Sequence, residues 1–89
     1  MLRSEDRDTI VRICRRYGVT RAILFGSSAR GDESARDIDL AVSGVPDERF
    51  YRFYGELIFD LSKPVDLVDL DEESRFTAVL RAEGVPIYG

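Results

Sequence analysis

Residues 24–40 read LFGSSARGDESARDIDL. The apolar pair Leu24 and Phe25 runs directly into Gly26-Ser27. A short polar passage then carries Arg30 and Gly31, and Asp37-Ile38-Asp39 opens a second apolar stretch. Side chains alternate across a strand, so Asp37 and Asp39 share one face while Ile38 and Leu40 take the other. Two carboxylates held this close repel each other unless a cation or a shared proton relieves them. Glycine followed by hydroxyl residues, on the opposite side of the turn, offers backbone N–H groups to an anion. A metal on one lip and a phosphate on the other is the simplest assignment that gives both features a role.

Working outward, the spacing of Ile10, Ile13, Cys14 and Tyr17 predicts a helix over 4–17, with Ser4 as N-cap and Gly18 as the terminating residue. Cys14 reads as a small core residue, and Arg7, Arg12, Arg15 and Arg16 as an exposed face. Val19–Phe25 is predicted as a strand buried on both sides. A short helical turn over 26–31 and an exposed loop over 32–36 lead to a strand over 38–42.

Residues 47–61 are the most periodic segment: Phe50, Phe53, Tyr54, Leu57, Ile58 and Leu61 form one broad apolar face. Tyr51 and Phe59 fall off that face and point to association with a second copy or another partner, with Gly55 between them permitting close approach. Ser62-Lys63-Pro64 breaks the helix, and VDLVDL over 65–70 is a third strand. A last helix over 72–83 is expected to use Asp71 as its cap and to turn Phe76, Val79 and Leu80 inward. Val85–Tyr88 adds an edge strand, where Pro86 is tolerated. The direct turn between the first two strands makes them antiparallel. The fold class is therefore α/β (α+β): a small mixed sheet with helices packed against it, in one domain over 1–89.

Composition narrows the chemistry. The 89 residues hold one cysteine and no histidine, which excludes an internal disulfide, a Cys-based zinc site and the commonest general base. Residues 1–31 carry seven arginines against three acids, whereas residues 32–89 carry fourteen acids against six bases, for a net charge of -4. An acidic chain is a poor non-specific nucleic-acid binder, so nucleic acid is not expected as a direct partner. No apolar run reaches transmembrane length and no signal-peptide pattern opens the chain, so a cytoplasmic protein with no membrane association is expected.

A hard divalent cation takes oxygen ligands, and Mg²⁺ is usually held by a few carboxylates together with substrate phosphates. Asp37 and Asp39 supply two. Asp66, inside a strand after a similar apolar lead-in, is the best-placed third. Three carboxylates can support two Mg²⁺ ions roughly 3.5–4 Å apart. Each piece alone has a plainer reading. Gly-Ser after a strand is often only a turn, Asp-x-Asp can be a loop edge or a calcium ligand, and Asp66 can pair with an arginine. Arg30 can pair with Asp32 or Glu33. The glycine and closing glutamate of an EF-hand loop are absent, as is the GxxxxGK[ST] loop.

Taken together, Gly26-Ser27, Arg30-Gly31, Asp37-Ile38-Asp39, Asp66 within VDLVDL and the ending LRAEGVPIY resemble the minimal nucleotidyltransferases of the DNA polymerase β-like superfamily. These are small proteins often encoded beside an all-helical HEPN partner, and the resemblance spans essentially the whole chain. It implies that Asp37, Asp39 and Asp66 are metal-binding catalytic carboxylates. It further implies that Gly26 and Ser27 hold the β- and γ-phosphates of ATP, and that Arg30 and Gly31 shape the loop beneath. Similar proteins modify a tyrosine of the HEPN partner and thereby silence its RNase activity, as the antitoxin of a toxin–antitoxin pair, so transfer of AMP from ATP to a partner hydroxyl is the activity the resemblance implies. Two departures stand out: Arg36 occupies a position that is usually serine, and the loop between Gly31 and Asp37 is one residue shorter. The alternative function is a non-catalytic module that neutralises or scaffolds a helical partner by contact.

Overall fold

The computed structural model describes residues 2–30 and 36–89. In chain order the elements are α1 (Ser4–Tyr17), β1 (Arg21–Leu24), α2 (Gly26–Ala29), β2 (Ile38–Ser43), α3 (Asp47–Asp60), β3 (Val65–Asp69), α4 (Arg75–Glu83) and β4 (Val85–Tyr88). The four strands form one sheet in the order β3-β2-β1-β4. β1 runs antiparallel to both β2 and β4, and β2 runs parallel to β3. The short link through α2 accounts for the first antiparallel pair, and the long crossover through α3 for the parallel one. β4 sits at the edge with Pro86, as its missing N–H requires.

The sheet is covered on both faces. Ile10, Ile13, Cys14 and Tyr17 of α1 and Phe53 and Leu57 of α3 pack with Ala22, Leu24, Ile38, Leu40 and Val42 on one face. The other face holds a smaller cluster of Ile23, Ala41, Leu70 and Leu80, joined by Phe25 and Val68. Strand alternation produces this division and assigns the site its side. Since Leu40 and Leu67 point toward α1 and α3, Asp39 and Asp66 must point the other way.

Several expectations are corrected. The strand expected over 19–25 narrows to Arg21–Leu24. Arg3, not Ser4, stands at the N-cap of α1 without a side-chain cap, and the Ser4 hydroxyl donates to Glu5. Gly18 does end the helix, in the left-handed conformation (φ 69°). The cap of α4 is Ser74 rather than Asp71: the Ser74 Oγ accepts from the Thr77 N–H, and the Thr77 Oγ1 accepts from the Ser74 N–H. Asp71 instead ties the end of β2 in place, accepting from the Ser43 hydroxyl at 2.6 Å and the Gly44 N–H at 2.8 Å. Thr77 and Leu80 are the buried residues of α4, while Phe76 and Val79 are about half exposed. Ile58, assigned to the buried face of α3, is also exposed, whereas Phe53 and Leu57 are fully buried.

Two long-range polar contacts fasten the helical layer. The buried Asp6 carboxylate accepts from the Ser62 N–H at 3.0 Å and the Ser62 hydroxyl at 2.5 Å. Glu56 accepts from both Arg16 and Tyr17, joining α1 to α3. Among the described residues, no helix is long and apolar enough to cross a membrane.

Candidate active site

The site is built where β1 leaves the sheet and β2 enters it. Phe25 keeps the extended conformation and its N–H donates to the Asp39 carbonyl at 3.1 Å, so the chain is still paired when it reaches Gly26. Gly26 then turns with φ +58°, a left-handed conformation that costs any residue with a Cβ about 1–2 kcal/mol. Space demands glycine as well: a Cβ here would lie 2.6 Å from Oδ2 of Asp39. The Gly-Ser turn is therefore shaped around the Asp39 carboxylate.

Ser28 locks the two lips together. Its Oγ accepts from the Asp39 N–H at 3.0 Å and donates to the Asp37 carbonyl at 3.3 Å. The sequence reading did not single out Ser28. Its one signal is being the second of two adjacent hydroxyl residues in Gly26-Ser27-Ser28, and only tertiary structure decides which of them faces β2. Ser27 is half-buried on the first turn of α2. Arg30 is exposed at the C-cap of that turn. Gly31 lies outside the described residues.

Across the β2–β3 pair, Ile38 is in register with Val65 and Asp39 with Asp66. Parallel strands lie about 4.8 Å apart and their partnered side chains share a face. Asp66 is exposed and Asp39 half-buried, with Asp37 exposed in the bend that leads into β2, ahead of the strand expected to include it. The Asp39 carboxyl is pushed above the ordinary carboxylate range, first by burial and then by the negative charges of Asp66 and Asp37; Arg30 partly opposes this. Like charges converge here on a half-buried oxygen pair, a donor set suited to a hard cation. Among the described residues no three acidic, histidine or cysteine side chains are grouped so that they could hold a metal ion by themselves.

Beside the Gly26 turn opens a cavity of about 240 Å³, lined by Phe25, Gly26, Ala29, Arg30, Val79 and Glu83 among others. Val79 is exposed because it forms a wall of this cavity instead of filling the core. Phe76 leans edge-on against Phe25, with ring centroids 6.1 Å apart, leaving an apolar ledge on the face that carries the carboxylates.

The family model "Polymerase beta, Nucleotidyltransferase" matches residues 8–89. The chain belongs to the polymerase β nucleotidyltransferase family. Within it, the chain is a minimal nucleotidyltransferase. A solved structure reported as a minimal nucleotidyltransferase is 30% identical, with 90% of this chain and 87% of that chain covered and a TM-score of 0.73. A chain from a toxin–antitoxin crystal structure with AMP-PNP is 26% identical over 93% of this chain and 73% of its own, with a TM-score of 0.76. A third comes from a complex of a tri-AMPylated Shewanella oneidensis HEPN toxin with its MNT antitoxin. It is 25% identical over 94% of this chain and 70% of its own, with a TM-score of 0.67. No curated protein sequence matches this minimal nucleotidyltransferase.

Proposed function

We propose that this nucleotidyltransferase moves AMP from ATP onto a hydroxyl of a helical HEPN-type partner protein, as the antitoxin of a toxin–antitoxin pair. The observation that carries the reading is the register pairing of Asp39 with Asp66 beside a glycine turn that only just clears the Asp39 carboxylate. A binding module has no use for like charges converging on one face, because their repulsion weakens the fold. The relatives bear on the chemistry: one is a toxin–antitoxin complex crystallised with AMP-PNP, and in another the HEPN toxin is tri-AMPylated.

Asp37, Asp39 and Asp66 are the residues that would hold Mg²⁺, with two ions accommodated when the triphosphate contributes oxygens. Bound there, the metal would neutralise charge developing on the phosphates and ease ionisation of the attacking hydroxyl. The chain's own part is positional and electrostatic. The first amides of α2, at Gly26 and Ser27, have no preceding helical carbonyl to bond, so they are available to the β- and γ-phosphates. Arg30, at the end of the same turn, adds positive charge near them. The acceptor hydroxyl oxygen bonds to the α-phosphorus as the bond to the bridging oxygen of the β-phosphate breaks. Pyrophosphate leaves, and the hydroxyl proton passes to the Asp66 carboxylate. The reaction then needs no histidine, and the chain has none.

A protein acceptor is preferred to nucleic acid because residues 32–89, which include Asp37 and Asp66, carry fourteen acids against six bases. Incubation with α-labelled ATP and Mg²⁺, with and without the neighbouring helical protein, tests the reading. Label is expected on that protein with the native chain and none with Asp39→Asn. Equal labelling by both forms sinks the assigned roles, and tight binding without label from either points to a contact-only antitoxin.

A further inference from the structure

The outward face of α3 is apolar where a solvated helix would be polar. Tyr51, Ile58 and Phe59 are 86%, 57% and 88% exposed. With Gly55 they fall at i, i+4, i+7 and i+8, which is a single stripe along the helix. The stripe lies opposite Phe53 and Leu57, which face the core. It also lies on the α1–α3 side of the sheet, away from the face to which Asp39 and Asp66 project.

We infer that this stripe is the interface between two copies of the chain, paired through antiparallel α3 helices crossing at Gly55. The spacing is self-complementary. Tyr51 and Phe59 are each four residues from Gly55, so a two-fold axis through Gly55 sets Tyr51 of one copy against Phe59 of the other. The same axis sets Arg52 against Ile58, where the long arginine stem can cover the aliphatic side chain. An isologous contact needs this property, and a surface shaped for an unrelated protein does not. Gly55 has open space around its Cα, so two backbones can approach there as in other small-residue crossings.

The area is consistent with a modest dimer. Aromatic side chains bury 150–250 Å² each, so Tyr51 and Phe59, with the half-exposed Ile58 beside them, offer roughly 400–500 Å² per copy. That is more than half of the ~800 Å² that each partner gives to a standard interface, with Arg52, Glu48 and the helix backbone supplying the rim. The dimer would leave both carboxylate faces open and pointing outward, and this inference does not depend on the proposed reaction.

The test is the mass of the purified full chain by light scattering and sedimentation as its concentration is raised. The native chain is expected to pass from one to two copies in the micromolar range. Phe59→Arg and Tyr51→Arg should each weaken association ~30-fold or more. Both side chains are solvent-exposed, so unfolding temperature in the dilute monomer should stay unchanged and separate misfolding from lost association. Gly55→Cys supplies a second readout. A bifunctional maleimide matched to the ~8 Å helix separation should join two Gly55→Cys chains, and should not join two Ala82→Cys chains. The buried Cys14 stays out of the reaction. A single-copy mass at every concentration overturns the inference, as does a dimer unaffected by Phe59→Arg. So does a native chain that stays monomeric alone while Phe59→Arg loses the helical partner, since the stripe would then be that protein's docking face.

Discussion

Asp39 on β2 and Asp66 on β3 are register partners in a parallel pair, with their carboxylates on the sheet face opposite α1 and α3. Directly opposed like charges on neighbouring strands destabilise by about 0.2–1 kcal/mol. The site is thus held together against its own repulsion, and a bound cation would relieve it. Asp39→Asn should therefore raise the unfolding temperature of the metal-free protein while abolishing AMP transfer. In the native chain, Mg²⁺ with a non-hydrolysable ATP analogue should raise the unfolding temperature, and this gain should vanish in Asp39→Asn. Calorimetry of the two proteins with and without ligand checks both halves. A variant less stable than the native chain and still ligand-stabilised would contradict the assignment.

Gly26 is fixed by conformation and by contact. Gly26→Ala must bear a left-handed backbone, costing about 1–2 kcal/mol, and a methyl group aimed at Oδ2 of Asp39. Chemical denaturation should show a stability loss of that order. Transfer should fall far more than the folded fraction does, because Asp39 must rotate away to make room. Activity that simply follows the folded fraction would show that the Asp39 rotamer is not critical.

Ser28 is assigned as a positioning residue: its hydroxyl bonds the Asp39 N–H and the Asp37 carbonyl, joining the Gly26-Ser27 turn to the strand that carries Asp39. Ser28→Ala should cost about 1 kcal/mol of stability and lower kcat roughly tenfold while KM for ATP changes little. Ser28→Thr, which keeps the hydroxyl, should recover most of the loss. A hydroxyl that served only the fold would leave the kcat of the folded fraction unchanged.

The strands were legible because each rests on a local apolar run: the stretches 19–25, 38–42 and 65–70 mark them, and the structure sets their bounds at Arg21–Leu24, Ile38–Ser43 and Val65–Asp69. Period two orients side chains within each strand, while only the β2–β3 pairing brings Asp66 beside Asp39. The functions of single hydroxyls and acids were not legible. Asp71 and Ser74 are both good capping types only three residues apart, and the choice fell to Ser74 because Asp71 reaches Ser43 and Gly44 across the sheet end. Asp6 lies in the first turn of α1, where the helix dipole favours an acid, yet its hydrogen-bond partner is Ser62, distant in sequence. Phe76 and Val79 have the spacing of a buried face, but the cluster beneath α4 is small and is filled by Leu80 with Ile23, Ala41 and Leu70. The surplus apolar residues line the site instead.

Asp71 gives the fold a measurable pH dependence. The Ser43 hydroxyl and then the Gly44 N–H hold its carboxyl below the ordinary carboxylate range, with Arg81 assisting and desolvation opposing. A depressed folded value means that the native state favours the ionised form. The stabilisation is therefore complete above the unfolded value near 4 and disappears as pH falls through the lower folded value. Arg81 stands 3.9 Å away and both side chains are about half exposed, so the ion pair itself contributes little. Asp71→Asn should lower stability at pH 7 by about 1 kcal/mol and flatten the acid limb of the stability curve, as read by urea unfolding from pH 7 to 2. An unchanged acid limb would transfer that pH dependence to other carboxylates.

Cys14 closes the account of the core. It is fully buried between α1 and the sheet, and burial pushes its thiol up to about 12. Only the thiolate is nucleophilic, so at pH 8 the folded protein presents neither access nor reactive form. Alkylation by iodoacetamide should be negligible in native buffer and complete in denaturant. In intermediate urea the labelled fraction should follow the unfolded fraction measured by circular dichroism. Cys14→Ala should then leave transfer activity intact while costing about 1–2 kcal/mol through the small cavity it opens. Rapid native-state labelling would mean that α1 opens locally without global unfolding, which the Asp6–Ser62 and Glu56 contacts argue against.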